Sequence, residues 1–587
     1  MKTKIKVFSS VLAVGMAVAT MFSAGGCKKP SFGDNDNHGE KPVDETKTQI
    51  VVYTYNAGFK DEWLWQLEAD FEEANKDTVY EEGKKGVQIH HDGAMDSYSS
   101  DQIKNSNYDV FFMEGGDYYS WRQSGALEDL TGIVTEKSKY DNKTIRSKMN
   151  EKQISYFGGV TENGAEEKYY AVPHYKGAMG LIYNVELFDE YGLYISDSEK
   201  TSLIGKSNPN KSKGPDGKTG TENGIDYSMD DGLPATYDEF FYLCGQMLKR
   251  GVTPFALPGK FADYYVNILY NALVAEYEGL GQMELNLSFK GNAVDLVKLD
   301  VAMNKKNEVE SCSVVRDSDG NPVIESAEID YTNGYDVFRQ AGKYYALDFI
   351  KKMVSDSEYY NSKAFSSTYM HTAVQKDFLL SNTDLSDSDE KYAMLVDGSW
   401  WEAEANITFN EMAKKSEKYS KQNRKFGWMP LPKATKAKLE EGNNVFLDYL
   451  EAAVCVKSNL GEKKKAALDF VQYVCSDGAL DKFTNITHAL KDFDYEVSKE
   501  TYENANYFMK TLINYNKKSQ TFNYYSNAPF FLKHRSDLLP TKINTIGVQP
   551  GTPVTLFAEG KVATGEEYFL KEYAYWRNRG DSFWKGI

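Results

Sequence analysis

Strand-like and helix-like segments alternate over the first ordered part of the sequence, and this alternation limits the fold more than any other feature. A β-rich run at 49–55 is followed by apolar residues at helical spacing from Leu64 to Phe71. The segments 87–89 and 108–113 then have the composition of a second and a third strand. This order is typical of a parallel sheet with helices on its faces, so we predict an α/β fold.

Polar residues follow the first and third predicted strands, where ligands of such sheets bind. Asn56 follows the first strand, and Glu114, Asp117 and Tyr119 follow the third. Carboxylates and amides bind hydroxyl groups, and the glycines at 115 and 116 let a ligand approach the backbone closely. We therefore take these four residues as candidate ligand contacts. The alternatives are that the acids are only solvated and that Asn56 fixes its own turn.

Length and charge exclude several classes of protein. The chain has 587 residues, which indicates more than one domain, and its formal charge of −18 disfavours binding to nucleic acid. Aromatic residues make up 14%, including 42 tyrosines. Core packing alone rarely calls for so many tyrosines, because each buried hydroxyl needs a hydrogen-bond partner.

The N-terminus resembles a bacterial lipoprotein signal. A basic start precedes the apolar run 11–22, which has the length of a signal-peptide core, and small residues lead to Cys27. Ala24 stands where the pattern usually has leucine. The resemblance implies that 1–26 is a signal peptide and that Cys27 carries a lipid, while the polar composition of 27–48 predicts a flexible tether. The alternative is an ordinary secretory signal with an incidental cysteine.

The remaining cysteines and the acidic segments give no metal pattern. Four cysteines follow in the chain: Cys244, Cys312, Cys455 and Cys475. They form no CxxC pair and no zinc spacing, so we predict small buried hydrophobic residues, with a disulfide framework as the alternative. We predict no metal and no cofactor. A calcium site in the insertion 196–232, at Asp216, Asp230 and Asp231, is left open, although the spacing fits no EF-hand loop.

Several motifs together resemble one known family. The segment YAVPHYKGAMGLIYN (170–184), followed by LFDEYG (187–192), resembles the central signature of extracellular solute-binding proteins of carbohydrate ABC transporters. This is the family 1, maltose-binding-protein-like group. Four other segments match it in order and spacing: DVFFM (109–113), PATYDEF (234–240), MLVDGSWW (394–401) and FGWMPLP (426–432). The resemblance spans roughly 49–587.

The resemblance implies a periplasmic-binding-protein-like fold with two α/β lobes, a hinge and a ligand cleft between the lobes. On this chain, lobe one would be 49–170 plus 434–500. Lobe two would be 171–433 plus 501–587.

Aromatic residues near the expected cleft are further candidates for ligand contact. The flat faces of sugar rings stack on aromatic rings, while their hydroxyls need directed polar partners. The family places a stacking tryptophan directly after a strand, where this chain has Trp400 and Trp401. We expect Trp400 to stack, because neighbouring side chains of a strand face opposite ways, and a place in the core is the alternative for Trp401. The alternative for Trp400 is that it is only a packed hydrophobic residue. Four more candidates lie near the expected crossing and in lobe two: His174, Tyr175, Phe261 and Tyr264. The alternative for His174 is a structural role.

The combined prediction is an extracellular binding protein for a sugar, an oligosaccharide in particular, which closes around its ligand by hinge motion and delivers it to an ABC importer. We predict no enzymatic activity. The expected partners are the carbohydrate and the membrane permease subunits, with no nucleic acid. We expect a monomer held on the extracellular face of the cell membrane by the lipid on Cys27.

Three alternatives stay open at this point. The first is a surface lipoprotein that cleaves polysaccharides with a carboxylate pair such as Glu402 and Glu404, although the chain has neither GxSxG nor HExxH. The second is the same fold with a peptide or another non-sugar solute as ligand. The third is a purely structural surface protein.

Overall fold

The computed structural model describes residues 41–56, 58–114, 118–159, 167–197, 202–442, 444–538 and 552–584. The predicted signal peptide, Cys27 and most of the predicted tether lie outside these residues, as does Asp117. Within the described ranges, no helix has the length and apolar character needed to cross a membrane.

Strands and helices alternate along much of the chain. The strands are β1 (Thr48–Tyr55), β2 (Val87–Ala94), β3 (Val110–Met113), β4 (Ala171–Pro173), β5 (Met179–Asn184), β6 (Tyr194–Ile195), β7 (Leu203–Ile204), β8 (Thr221–Glu222), β9 (Ile225–Asp226), β10 (Thr253–Ala256), β11 (Gly291–Val297), β12 (Leu299–Met303), β13 (Val309–Val314), β14 (Ile324–Ile329), β15 (Tyr392–Gly398), β16 (Phe426–Met429), β17 (Val445–Asp448), β18 (Ala453–Val456) and β19 (Gln520–Asn523).

The α-helices are α1 (Glu62–Ala74), α2 (Ser100–Asn105), α3 (Tyr118–Ser124), α4 (Thr131–Thr135), α5 (Glu151–Gly158), α6 (Val185–Tyr191), α7 (Tyr237–Leu248), α8 (Ala262–Ser288), α9 (Ala341–Ser355), α10 (His371–Leu380), α11 (Trp401–Glu404), α12 (Asn406–Lys415), α13 (Lys436–Glu441), α14 (Lys464–Val474), α15 (Asp477–Thr487), α16 (Lys499–Asn504), α17 (Tyr507–Lys518), α18 (Pro529–Leu538), α19 (Pro553–Ala558), α20 (Gly565–Arg577) and α21 (Asp581–Trp584).

The first lobe is built on a five-stranded sheet in the order β2–β1–β3–β18–β4. Strand β1 runs parallel to both β2 and β3, which confirms the predicted parallel α/β unit. Strand β18 comes from far along the chain and lies antiparallel between β3 and β4. The first lobe is therefore completed by a late segment of the sequence.

The second lobe is built on a four-stranded sheet in the order β10–β15–β5–β16. Strand β15 is buried along its whole length, as expected for a central strand covered on both faces. Strand β16 pairs antiparallel with β5. The prolines at 430 and 432 come after the last residue of the strand, so they do not interrupt its ladder.

Three segments connect the two sheets, and they are hydrogen-bonded to one another. The amide of His174 donates to Ala452 O over 3.0 Å, and that of Tyr449 donates to Gly177 O over 3.2 Å. On the other side, the amide of Lys176 donates to Leu490 O over 2.9 Å. A side chain at Gly177 would overlap Leu450, so the close approach of these segments requires glycine. These segments form the expected hinge region.

The limits of the lobes stay a prediction. Strand β4 belongs to the first sheet, whereas the predicted boundary assigned 171–173 to lobe two. The helices α16 and α17 lie close to α15 and β16 respectively, so the chain returns towards the second sheet after α15.

The C-terminal helices pack on the second lobe, and tyrosines near the end of the chain are buried in this packing. Helices α19 and α20 pack against α9, and α18 packs against α8. Tyr524, Tyr525 and Tyr568 are buried, and the rings of Phe530 and Trp584 stack with centroids 5.2 Å apart. These buried aromatic residues form core, and the Tyr525 ring stacks on that of Tyr156 in α5 with centroids 4.3 Å apart.

The cysteines and the acidic insertion have ordinary structural roles. Cys244, Cys455 and Cys475 are buried free thiols, as predicted, while Cys312 is a half-exposed free thiol on β13. In the insertion, the Lys518 ammonium lies 2.6 Å from an Asp216 carboxylate oxygen and 3.0 Å from one of Asp230. The lysine thus supplies the positive charge that a calcium ion would bring there.

Candidate functional site

The carboxyl ends of β1 and β3 bring several predicted residues of the first lobe together. The hydroxyl of Tyr175 donates a hydrogen bond to the Glu114 carboxylate. The rings of Tyr175 and Phe59 meet edge to face, with centroids 4.6 Å apart. Asn56 lies at the same edge, with its side chain against Gly93. Glu114 and Tyr175 therefore form the first-lobe side of a candidate cleft.

Trp400 lies where the second lobe meets the first. Its six-membered ring lies over Gly398 at the end of β15, in space that any other side chain at 398 would fill. A Cβ atom at Gly58 of the first lobe would lie 3.1 Å from Trp400 Cδ1 and 3.2 Å from Glu404 Cβ. Trp400 is half-buried. The predicted stacking residue is thus at the interface between the lobes.

More aromatic residues surround this position. The ring centroid of Trp400 lies 6.2 Å from that of Tyr449, and the Tyr264 hydroxyl donates to the Tyr449 hydroxyl over 3.2 Å. Phe261 lies near His371, with ring centroids 5.4 Å apart. Tyr449 was not predicted from the sequence. Its only signal is its place next to the crossing between the lobes.

A polar network fixes Glu404 beside Trp400. The Gln375 amide donates to Glu404 Oε2 over 2.6 Å and to Asp397 Oδ2 over 2.9 Å. The Nε2 atom of His371 lies 3.1 Å from Glu404 Oε1. His371 and Gln375 come from α10, whose sequence gave no sign of a role at the site. Together they hold the Glu404 carboxylate in place.

The carboxylates of the two lobes influence each other. Burial and the nearby Glu404 carboxylate raise the pKa of Glu114 to about 8. The same two causes raise the pKa of Asp397 to about 7. Burial also raises the pKa of Tyr55 to about 12, with Glu114 adding to the effect. Burial disfavours protonated His371, but the hydrogen bond to Glu404 outweighs it and raises the pKa of that imidazole. The cleft therefore gathers acidic groups from both lobes.

Two predicted contacts lie in the core, which corrects their assignment to the ligand. Trp401 is 0% exposed and packs against Phe378, Phe426 and Phe508. It begins α11, where successive side chains point about 100° apart, so it faces away from the position of Trp400. His174 is buried against Trp63 and Phe112, and its Nδ1 atom lies 2.7 Å from Lys491 Nζ.

The structure also gives the positions of Tyr119 and Glu402. Tyr119 is half-buried in the first turn of α3, after the third strand, and its contact with ligand stays a prediction. Glu402 is buried and bound to His488 Nδ1 over 2.6 Å and to the Asn506 amide over 2.6 Å. Because Glu402 is engaged in this way, it does not form an open carboxylate pair with Glu404.

Comparison with solved structures places the fold. A structure from a study of xylan utilization by Caldanaerobius polysaccharolyticus has a TM-score of 0.50 and 15% identity, covering 89% of this chain and 98% of that one. The apo form of RafE from Streptococcus pneumoniae has a TM-score of 0.48 and 14% identity, covering 92% and 99%. A family 1 extracellular solute-binding protein from Bifidobacterium longum subsp. infantis has a TM-score of 0.46 and 14% identity, covering 91% and 99%. The first of these shows that the two-lobed fold is shared.

Sequence comparison identifies the family. No curated protein sequence matches the chain significantly. The family profile described as bacterial extracellular solute-binding protein matches residues 67–490, which is more than half of the chain. The matched range contains the strands of both lobe sheets except β1, and it contains Glu114, Tyr175, Trp400 and Glu404. The expectation of a solute-binding protein is thus confirmed: the chain belongs to the bacterial extracellular solute-binding protein family.

Proposed function

We propose that this solute-binding protein binds an oligosaccharide between its lobes and delivers it to an ABC importer. The observation that carries the proposal is the position of Trp400, a half-buried ring at the lobe interface beside the carboxylates of Glu114 and Glu404. The ring offers a flat apolar face for the C–H side of a sugar. The carboxylates offer acceptors for its hydroxyls.

Both lobes contribute to this site, which supports binding by hinge closure. Glu114 and Tyr175 come from the first lobe and its crossing, whereas Trp400 and Glu404 come from the second. A ligand that contacts both sides stabilises the closed form more than the open form, so binding shifts the population towards closure. A membrane permease would then recognise the closed protein.

The proposal includes the remaining expectations on location and state. Residues 1–26 act as the signal peptide, and a lipid on Cys27 holds the monomeric protein on the extracellular face of the membrane. The segment after Cys27 serves as the tether. The proposal is a binding protein and not an enzyme, and it is supported by the carboxylate pair considered for polysaccharide cleavage: the buried Glu402 is bound to His488 and Asn506 and does not form an open pair with Glu404.

A glycan screen followed by substitution of Trp400 tests the proposal. We expect at least one oligosaccharide in a panel of different linkages to raise the melting temperature, because a ligand of the folded state stabilises it. Trp400→Ala should weaken the binding of that glycan at least about tenfold in calorimetry, which corresponds to about 1.4 kcal/mol. Tyr242→Ala, a half-buried aromatic residue on α7, is the matched control and should bind normally.

Two results would contradict the proposal. Unchanged affinity of the Trp400→Ala variant would exclude stacking on this ring. A melting temperature that responds to peptides but to no glycan would assign the cleft to a different class of solute.

A further inference from the structure

We propose that the cleft selects its glycan by charge and takes an amino sugar whose protonated amine lies between Glu114 and Glu404. This inference rests on the proposed function, since it names the chemical class of the sugar that occupies the same cleft.

Carboxylates from opposite lobes meet at this position. Glu114 follows β3 in the first lobe, and Glu404 ends the short helix α11 in the second. Glu404 reaches the first lobe, because a Cβ atom at Gly58 would lie 3.2 Å from its own Cβ. Glu404 is also the charged group that acts on Glu114. Lobe closure therefore brings two acidic groups together around any ligand.

The second lobe adds further acceptors at the same place. Gln375 is 1% exposed, and its side-chain nitrogen Nε2 donates one hydrogen bond to Asp397 and one to Glu404. Its carbonyl oxygen Oε1 is buried and has no hydrogen-bond partner among the described residues. The carboxylates of Glu404 and Asp397 accept as well. His371, beside Glu404, has its own buried Nδ1 atom without a partner among the described residues. Carboxylate and amide oxygens thus outnumber the one unpaired ring nitrogen at the site.

An ammonium group fits this environment better than the other groups that sugars carry. It has three donors, no acceptor and a positive charge, so it satisfies several acceptors while balancing the carboxylates. A hydroxyl donates only one hydrogen bond and carries no charge. The carboxylate of a uronate has no donor and would add another negative charge.

Binding of a cation should also move a proton. Because burial and Glu404 raise the pKa of Glu114 to about 8, the empty cleft holds a proton on this carboxyl group at neutral pH. An ammonium beside Glu114 favours the carboxylate form. The proton then passes from Glu114 to the buffer, while the amine keeps its own proton, so the charge balance is kept.

Matched sets of oligosaccharides provide the test on the full folded protein. Each set has one length and one linkage, with a hydroxyl, an amine, an acetamide or a carboxylate at the same ring position. In any set that binds, we expect the amine member to bind at least about tenfold more tightly than the hydroxyl member. We expect the carboxylate member not to bind at the same concentration. Calorimetry in buffers of different ionisation enthalpy should show proton release with the amine member only.

Two variants separate the charge effect from general damage. Glu404→Gln keeps the size of the side chain and should reduce the ratio of amine to hydroxyl affinity to less than about threefold, whatever its effect on each affinity alone. Glu411→Gln on the exposed face of α12 removes the same charge from the same lobe and should leave the preference intact.

The outcomes distinguish this inference from the function on which it rests. Equal or tighter binding of the hydroxyl or carboxylate member overturns the charge selection but leaves oligosaccharide binding in place. An unchanged amine preference in Glu404→Gln also overturns it. If no member of any set binds, the proposed function fails and this inference fails with it.

Discussion

Replacing Gly398 with alanine tests the position of the Trp400 ring without removing the ring. The added methyl group would overlap three atoms of the six-membered ring. Packed carbon atoms lie about 3.5–4.0 Å apart, so the ring must move by roughly 1 Å or more to clear the new group. The three atoms nearest to this methyl group all belong to the Trp400 ring.

The expected loss of unfolding free energy depends on whether the Trp400 ring is present. Overpacking of this kind costs about 1–3 kcal/mol of unfolding free energy, so Gly398→Ala alone should destabilise the protein by that amount. In the Trp400→Ala background the space is free, and the same substitution should cost nothing. It can even stabilise by about 0.5–1 kcal/mol there, because alanine loses less backbone entropy than glycine in a strand.

A double-mutant cycle measured by urea unfolding provides the assay. The four proteins are the wild type, the two single variants and the double variant. A coupling energy of at least about 1 kcal/mol between Gly398 and Trp400 is expected. If Gly398→Ala destabilises both backgrounds equally, the ring does not lie over residue 398, and the geometry proposed for stacking is refuted.

The remaining predictions concern the core and the pH dependence of stability. Trp401→Ala should lower the unfolding free energy by about 3–5 kcal/mol, because Trp401 is fully buried, whereas Trp400→Ala should cost less; equal costs in urea unfolding would contradict the core assignment. Burial disfavours protonated His91, but its hydrogen bonds to Asp61 and Glu68 outweigh this and raise its pKa to about 9. Since this value exceeds the unfolded value of about 6.5, the stabilisation is complete below pH 6.5 and is lost as the pH rises through 9. Unfolding measured from pH 6 to 10 should show a steeper fall in the wild type than in His91→Gln, and identical curves would contradict the assignment.

Local features of the sequence were sufficient for the elements of the first lobe. The spacing of Leu64, Leu67 and Phe71 predicted α1, and all three residues are buried on its inner face. The start of α7 was also predictable from the pattern Thr236-x-x-Glu239, which is typical of a helix N-terminus. In the structure, the Thr236 side chain accepts a hydrogen bond from the Glu239 backbone amide. The Glu239 carboxylate, however, binds the Ala235 amide instead of closing a capping box on Thr236. Short-range patterns fix where elements begin, but not every contact at their ends.

These short-range patterns could not predict the pairing of distant strands or the residues that surround Glu404. The place of β18 between β3 and β4 depends on contacts between distant segments. His371 and Gln375 were missed because polar residues on a helix usually face water, and only the packing of α10 near β15 brings them to Glu404. Trp400 was found through the strand before it, whereas the core position of Trp401 follows from the helix that begins there.

The insertion of β18 into the first sheet has a consequence for the order of folding. Strand β4 has β18 as its neighbour in that sheet, so it cannot join β3 until residue 456 is available. Pairing between segments so far apart in sequence slows folding. A chain emerging from the ribosome therefore keeps its first lobe incomplete until more than three quarters of its residues have been made. Glu114 follows β3 and Tyr175 comes shortly after β4, and β18 lies between these two strands. Glu114 and Tyr175 are therefore brought together among the last events of folding.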